Sequence, residues 1–388
     1  MRVVNPVSEA IKKGREMNKK EISEIRKQLT PERCCITRIC GCYVVWEKEK
    51  RMEMKEAFLS LPDEVLQKYL ELLKKSLSGT LGKNLLNLDF PLEQEREEGM
   101  QHFLMELKAS GLTEDELVEQ FYDKIIENLE YSENYLILLV HAVYDIPGKS
   151  SDGLEMFDAS DHVYEHLICS ICPVKQSKGG LAYQGETNQF TDRIRDYVVD
   201  PPMLGFLFPL YQDRNPDVHG MLYYSKNAEQ LQGNMIETLF GCQVPLSAAT
   251  QKDSFNSLVE STLGEDCAYD TVISIHEKLN EMLDAQKDEP DPLALTKPEV
   301  RRLLEESGVP DDHLEDFDEQ YAMAAGSSPS LMAANITNTR KTEIKTPDIV
   351  VSVDPSKSSM IETRVIDGVK CLVIPVDGEV EVNGIHVK

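Results

Sequence analysis

The spacing of apolar positions changes twice along the chain. Residues Asn18 to Leu29 alternate apolar and basic positions with a helical period, which predicts a short basic helix ended by Pro31. Ile36 to Trp46 is rich in β-branched and aromatic residues and predicts a strand. A helical pattern follows over Met52–Leu77, interrupted at Pro62 and stopping near Gly79. Pro91 opens a further helix running to about Ala109. Thr113 and Glu116 have capping-box spacing ahead of a helix reaching about Leu129. The first third of the chain therefore reads as mostly helical.

The middle reads differently. Tyr135–Asp145, Val163–Ile171, Leu204–Leu210 and Met221–Tyr224 carry strand patterns, with a loop at Gly148–Gly153 and a turn at Asp213–Asp217. These strands predict one sheet over residues 134–226, with the segment 174–200 crossing between strands. Helical patterns return at Ala228–Phe240, Asp253–Leu263 and Ala268–Gln286. After the charged, proline-containing stretch Lys287–Pro292 come two short helices, Lys297–Ser307 and Asp311–Ala325. Past Gly326-Ser-Ser-Pro-Ser330 the pattern becomes β: Ile349–Val353, Thr363–Ile366, Lys370–Val376 and Glu379–Val382, with turns at Asp367-Gly368 and Asp377-Gly378. No fixed-period repeat is visible.

The expected fold class is α+β, with a central mixed sheet and flanking helices. The expected organisation is an extension over residues 1–16 and a main domain over 17–286. That domain is helical over 17–130, sheet-rich over 134–226 and helical over 228–286. An acidic helical hairpin over 297–326 and a small antiparallel β module over 331–388 complete it. Lys12-Lys-Gly-Arg-Glu-Met17 reads like a translated ribosome-binding site before a start codon, so Met17 is the expected start of the native protein. A peptide covering Val3 to Lys12 in the native protein would refute this.

Charge narrows the function classes. The 388-residue chain has a net charge of −27. Residues 1–60 hold 14 basic and nine acidic groups, the only basic region. Nucleic-acid binding draws on clustered Lys and Arg, so only residues 18–33 could make such a contact, and nucleic acid is not the expected partner. Apolar residues make up 41% of the chain, yet no run approaches the roughly 18 residues of a membrane helix. The start of the chain lacks the apolar core of a signal peptide. The expected compartment is the cytoplasm, where the nine cysteines are thiols.

Four of those cysteines fall within Cys34-Cys-Ile-Thr-Arg-Ile-Cys-Gly-Cys42. On a strand, Cys40 and Cys42 share a face. Together with Cys169-x-x-Cys172 they offer four thiolates, a zinc candidate. Against it, 126 residues separate Cys42 from Cys169, and the odd spacing of Cys169 and Cys172 points them to opposite faces. Buried thiols are the favoured reading, with no cofactor. Ser76–Asn84 resembles a phosphate loop only by eye, since Asn84 replaces the magnesium-binding hydroxyl and a helix precedes it. His162 and His166 flank Glu165 on a strand-like pattern, and His219 follows a turn. The polar residues Arg195, Asp196, Asp200, Asp213 and Arg214 would make a catalytic or ligand site if they converged at strand ends. A structural ion-pair role is favoured for them. The helix pair over 296–326 resembles a helix-turn-helix, but its second helix carries only acidic charge.

Several strings, in order, resemble one family. They are M-N-K-K-E-I-S-E-I-R-K-Q from Met17, R-I-C-G-C-Y-V at 38–44, N-Y-L-I-L-L-V-H at 134–141 and I-C-P-V at 171–174. R-D-Y-V-V at 195–199, G-F-L-F-P at 205–209 and V-I-D-G-V-K-C-L-V-I-P at 365–375 complete the set. The chain from Met17 to about Val387 is similar to the bacterial, mostly clostridial family known as DUF4317. The resemblance implies a soluble cytoplasmic protein and carries no activity or catalytic residues. The leading expectation is a non-enzymatic binding or scaffold protein with a protein partner. The alternatives are a hydrolase or metal-dependent enzyme using the 192–214 polar residues, and a weak nucleic-acid contact through the basic N-terminus.

Overall fold

The structure, a computed structural model, describes residues 16–149, 155–326, 328, 330–376, 378–382 and 384–387. The extension expected over 1–16 lies, but for Glu16, outside the described residues, as do most of the Gly148–Gly153 loop and Asp377 of one expected turn. The chain divides into two compact units between Val244 and Pro245. The boundary expected at residue 286 thus falls inside the second unit.

The first unit holds twelve described strands. They are β1 (Ile36–Val44), β2 (Lys50–Ala57), β3 (Leu85–Asp89), β4 (Tyr135–Lys149), β5 (Glu155–Gln176), β6 (Leu181–Gln184), β7 (Gln189–Asp192), β8 (Tyr197–Val199), β9 (Leu204–Phe208), β10 (Leu210–Gln212), β11 (Asn215–Asp217) and β12 (Gly220–Ser225). Its α-helices are α1 (Lys19–Gln28), α2 (Asp63–Ser76), α3 (Met100–Ala109) and α4 (Asp115–Asn128). The main sheet runs β2-β1-β4-β5-β9-β12-β3, with β8 also paired to β5. Every one of these pairs is antiparallel, in place of the mixed sheet expected.

Both faces of the sheet are covered. Cys40, Leu139, Cys169 and Phe206 pack with α3, α4 and residues 231–242 on one face. Leu138, Ile168, Cys172 and Leu207 pack with α1 and α2 on the other. Two-sided burial explains the continuous apolar run of β4, where Leu136–Val140 is buried throughout.

Several elements differ from expectation for identifiable reasons. The helix expected from Met52 starts only at Asp63; Lys50–Ala57 is strand β2. Its Met-Glu-Met-Lys alternation has a period of two, and its charges blunt an edge strand. The Thr113 capping box does not form: Thr113 Oγ1 donates to the Ser110 carbonyl at 2.7 Å, and Glu114 takes the cap position. Residues 174–200 are no bare crossover but carry the exposed β6–β7 hairpin and β8. The helix expected over Ala228–Phe240 shrinks to a π-turn at Met235–Leu239. Near the chain start Met17 is anchored, its N–H donating to Asn87 Oδ1 and its carbonyl accepting from Asn87 Nδ2, each at 3.2 Å.

The second unit packs α5 (Ala248–Leu263), α6 (Tyr269–Ala285), α7 (Lys297–Glu306), α8 (Phe317–Ala325) and the short α9 (Ala333–Ile336) around one apolar core. β13 (Ala294–Thr296) and β14 (Ser330–Met332) pair beside it. The capping box at Thr296 and Glu299 starts α7. The acidic hairpin expected over 297–326 is therefore part of this core. Beyond it lie three separate two-stranded ribbons, β15 (Thr342–Lys345) with β16 (Val350–Val353), β17 (Glu362–Ile366) with β18 (Val369–Val373), and β19 (Val380–Val382) with β20 (Ile385–Val387). No sheet joins them among the described residues, and Val365, Val369 and Ile385 are exposed.

Candidate functional site

The thiols are resolved by the sheet register. Cys40 pairs with Leu139 of β4, and Leu139 pairs with Cys169 of β5, so one strand stands between the two cysteines. Strands lie about 4.8 Å apart, which sets Cys40 and Cys169 about 10 Å apart along the ladder. Two zinc–sulfur bonds of about 2.3 Å each span less than half of that. Cys172 faces the opposite side of the sheet. The four-thiolate arrangement is not assembled. Among the described residues no group of three or more His, Cys, Asp or Glu side chains is gathered as a metal site. Burial raises the pKa of Cys40 to about 11 and of Cys42 to about 12, and pushes those of Cys169 and Cys172 up further. Protonated thiols pack as small apolar groups.

The five polar residues expected as a site are split. Asp196 and Asp200 lie at the C-terminal end of β5. There the Ser177 N–H donates to the Asp196 carbonyl at 2.8 Å, and Lys175 stands 4.0 Å from Asp200. Arg195 packs beside Gly179. Asp213 and Arg214 form the turn between β10 and β11, against α1 and Pro147 at the far end of β4. Both have positive φ, 45° and 64°, a strained conformation for side-chain-bearing residues. The helix holds the turn: Glu21 Oε1 accepts from the Asp213 N–H at 2.8 Å.

That same end of the sheet carries two arrangements absent from the sequence reading. The first is a groove of about 770 Å³ between α1 and the end of β4. Lys20, Lys27 and Arg33 line it on the cationic side, with Cys34, Cys35, Tyr144 and Asp145 behind. Among the described residues those three cations form no ion pair. Glu24, also lining the groove, accepts from Tyr211 Oη at 2.7 Å and Tyr144 Oη at 3.1 Å, with Arg214 Nη1 3.9 Å away. Burial, then the Glu24 hydrogen bond, push the Tyr211 pKa up, so the phenol stays a donor. Burial likewise raises Cys35 to about 12.

The second arrangement lies on the opposite sheet face. Thr37 Oγ1 is 2.6 Å from His141 Nδ1, His141 Nε2 is 2.9 Å from Glu165 Oε1, and Lys108 Nζ is 2.9 Å from Glu165 Oε2. A bulge creates the first contact. Ile36 pairs with Ala142 and Arg38 with His141, leaving Thr37 as the extra residue. His141 is buried and Thr37 exposed. Burial opposes ionisation of Glu165, but hydrogen bonds and charge from Lys108 and His141 outweigh it and lower its pKa. Glu165 thus pairs with neither His162 nor His166 as a metal ligand. His166 is fully buried on the other face, stacked 4.4 Å from Tyr164, and burial lowers its pKa to about 3. His219 is exposed and 2.7 Å from Glu95.

The family model described as Domain of unknown function (DUF4317) matches residues 17–385. No curated protein and no solved structure matches the chain. No helix among the described residues is long and apolar enough to cross a membrane.

Proposed function

The chain belongs to the DUF4317 family, whose description assigns no activity, and from the geometry we propose that it is a binding protein for an acidic, extended segment of a partner protein. One observation carries this: the groove under α1 gathers Lys20, Lys27 and Arg33 on a chain of net charge −27. Lys20 and Lys27 are seven residues apart on one helix face. That is about 10 Å of helix axis, the reach of about three residues of extended chain. Carboxylates three positions apart share one face when the segment takes a polyproline II conformation, and there they would meet the two cations in turn. Glu24 and Tyr144, both lining the groove, are hydrogen-bonded to each other, and Tyr211 donates to Glu24 from the core behind. Coulombic steering toward a local basic patch favours an acidic partner over the rest of the surface.

The hydrolase reading based on Arg195, Asp196, Asp200, Asp213 and Arg214 loses its motivation, because those residues stand at opposite ends of the sheet. Fluorescence anisotropy of a labelled hexaglutamate peptide tests the binding reading. Saturable binding is expected, weakened roughly tenfold or more by the combined K20E, K27E and R33E changes and by added salt. Equal binding by the triple variant overturns it. Binding of a single-stranded oligonucleotide in place of the peptide transfers the groove to nucleic acid.

A further inference from the structure

We propose that Thr37 is an activated hydroxyl nucleophile, with His141 as its general base and Glu165 and Lys108 as positioning residues, giving the protein an acyl-transfer activity toward small esters. This stands on different residues from the groove and does not depend on it.

The hydrogen-bond chain fixes the proton positions. An ionised Glu165 only accepts, so His141 Nε2 carries the proton that spans the 2.9 Å contact. Nδ1 then presents its lone pair, and the Thr37 hydroxyl donates to it at 2.6 Å, its nearer acceptor, the His141 carbonyl oxygen lying 3.2 Å away. Lys108 fills the second carboxylate oxygen at 2.9 Å and keeps Glu165 charged. Nucleophile, base and orienting acid are each within hydrogen-bond reach of the next, the geometry that activates a hydroxyl. The base is shielded, at 5% exposure, while the nucleophile is exposed to an incoming substrate. A bulge, a device that re-aims side chains, occurs at Thr37 itself. Gly111 lies beside His141, and even an added Cβ would stay 4.0 Å from its Cε1.

In the reaction, Thr37 Oγ1 bonds to the ester carbonyl carbon as its proton passes to His141 Nδ1. The tetrahedral adduct collapses, the carbon–oxygen bond to the alcohol breaks, and that alcohol leaves with the proton from His141. Water, deprotonated by His141, attacks the threonyl ester, releases the carboxylic acid and returns the proton to Oγ1. No oxidant, reductant or further reactant is needed.

The full chain is incubated with p-nitrophenyl acetate, following nitrophenolate release and mapping acetyl groups by peptide mass spectrometry. The expected result is an acetyl adduct on Thr37 and release that falls roughly a hundredfold in T37V and H141Q, the usual scale for losing a nucleophile or base. T37S retains activity. E165Q lowers kcat and leaves KM nearly unchanged, since the orienting carboxylate touches the base and not the substrate. A purely structural role for Glu165 would leave kcat of the folded variant in place. Thermal melts confirm that each variant is folded. Wild-type release no faster than T37V, or acetylation elsewhere with Thr37 unmodified, overturns the proposal.

Discussion

His141 and Glu165 face each other from neighbouring strands, β4 and β5, with Nε2 and Oε1 2.9 Å apart. They are two residues off direct register, the neighbouring position on the same face, since His141 pairs with Leu167 and Glu165 with Val143. The diagonal contact spans the ladder and leaves the second carboxylate oxygen of Glu165 free to take Lys108 from α3. One carboxylate thus ties two strands and the helix above them.

Glu165→Gln should lower stability at neutral pH and have little effect in acid. The folded pKa of Glu165 lies below its unfolded value, which is near 4.3. Its contribution is therefore complete above that value and is lost as pH falls through the lowered folded pKa. More than a third of the side chain is exposed, so solvent screening keeps the effect within about 1 kcal/mol. Thermal melts at pH 7 and pH 3 test this. A difference between wild type and variant that persists at pH 3 would show that packing, and not charge, is at stake.

His166 should make stability fall on the acid side of neutrality. Burial holds its pKa at about 3 in the folded protein, against about 6.5 unfolded. Above 6.5 the ring is neutral in both states. Below it the unfolded chain takes a proton that the native chain refuses, so stability drops by about 1.4 kcal/mol per pH unit until the folded pKa is reached. His166→Phe keeps a ring against Tyr164 and removes this slope. Between pH 7 and pH 5, urea denaturation should show wild type losing about 2 kcal/mol more than the variant. Equal losses would mean that the native ring is protonated.

How much of this was legible in the sequence depends on the range of the interaction. The strand at Ile36–Val44 follows from local composition, and period two alone puts Cys40 and Cys42 on one face. The opposite facing of Cys169 and Cys172 was legible for the same reason. That β4 separates β1 from β5 was not, because it depends on pairing between residues far apart in the chain, such as Cys40 with Leu139. In sequence Glu165 neighbours His162 and His166, whereas its partners His141 and Lys108 come from other elements. Asp213 and Arg214 lie close to Asp196 and Asp200 in sequence, which suggests a single site. The length of β5 then carries them to opposite ends. Strand β2 was missed because a short, charged Met-Glu-Met-Lys alternation runs straight into a true helix.

The cysteines of β1 should behave as core residues. Cys40→Ala leaves a small void, while Cys40→Ser buries a hydroxyl in an apolar cluster, at a cost of about 1–3 kcal/mol. Serine should therefore be the more destabilising replacement. Chelator should leave the melting temperature unchanged. Iodoacetamide on the folded protein should label exposed Cys267 and spare Cys40, Cys42, Cys169 and Cys172. A melting temperature that falls with chelator would return these thiols to metal binding.

Gly205 should tolerate no side chain. It lies in β9 between buried Leu204 and Phe206, where α2 meets the sheet. A Cβ there would stand 2.6 Å from the Cys169 carbonyl oxygen and 2.8 Å from Ser76 Oγ. Ser76 is itself held, 2.7 Å from Ser170 Oγ in a buried pair. Neither obstacle is the loose end of a flexible side chain. Gly205→Ala should therefore destabilise the protein by about 1–3 kcal/mol through overpacking, read by urea denaturation. Adding Ser76→Gly removes one obstacle and leaves the carbonyl, so the double variant should be less destabilised than the two single changes summed. Strict additivity would show that α2 has moved away from β9 and that this contact does not set the spacing between helix and sheet.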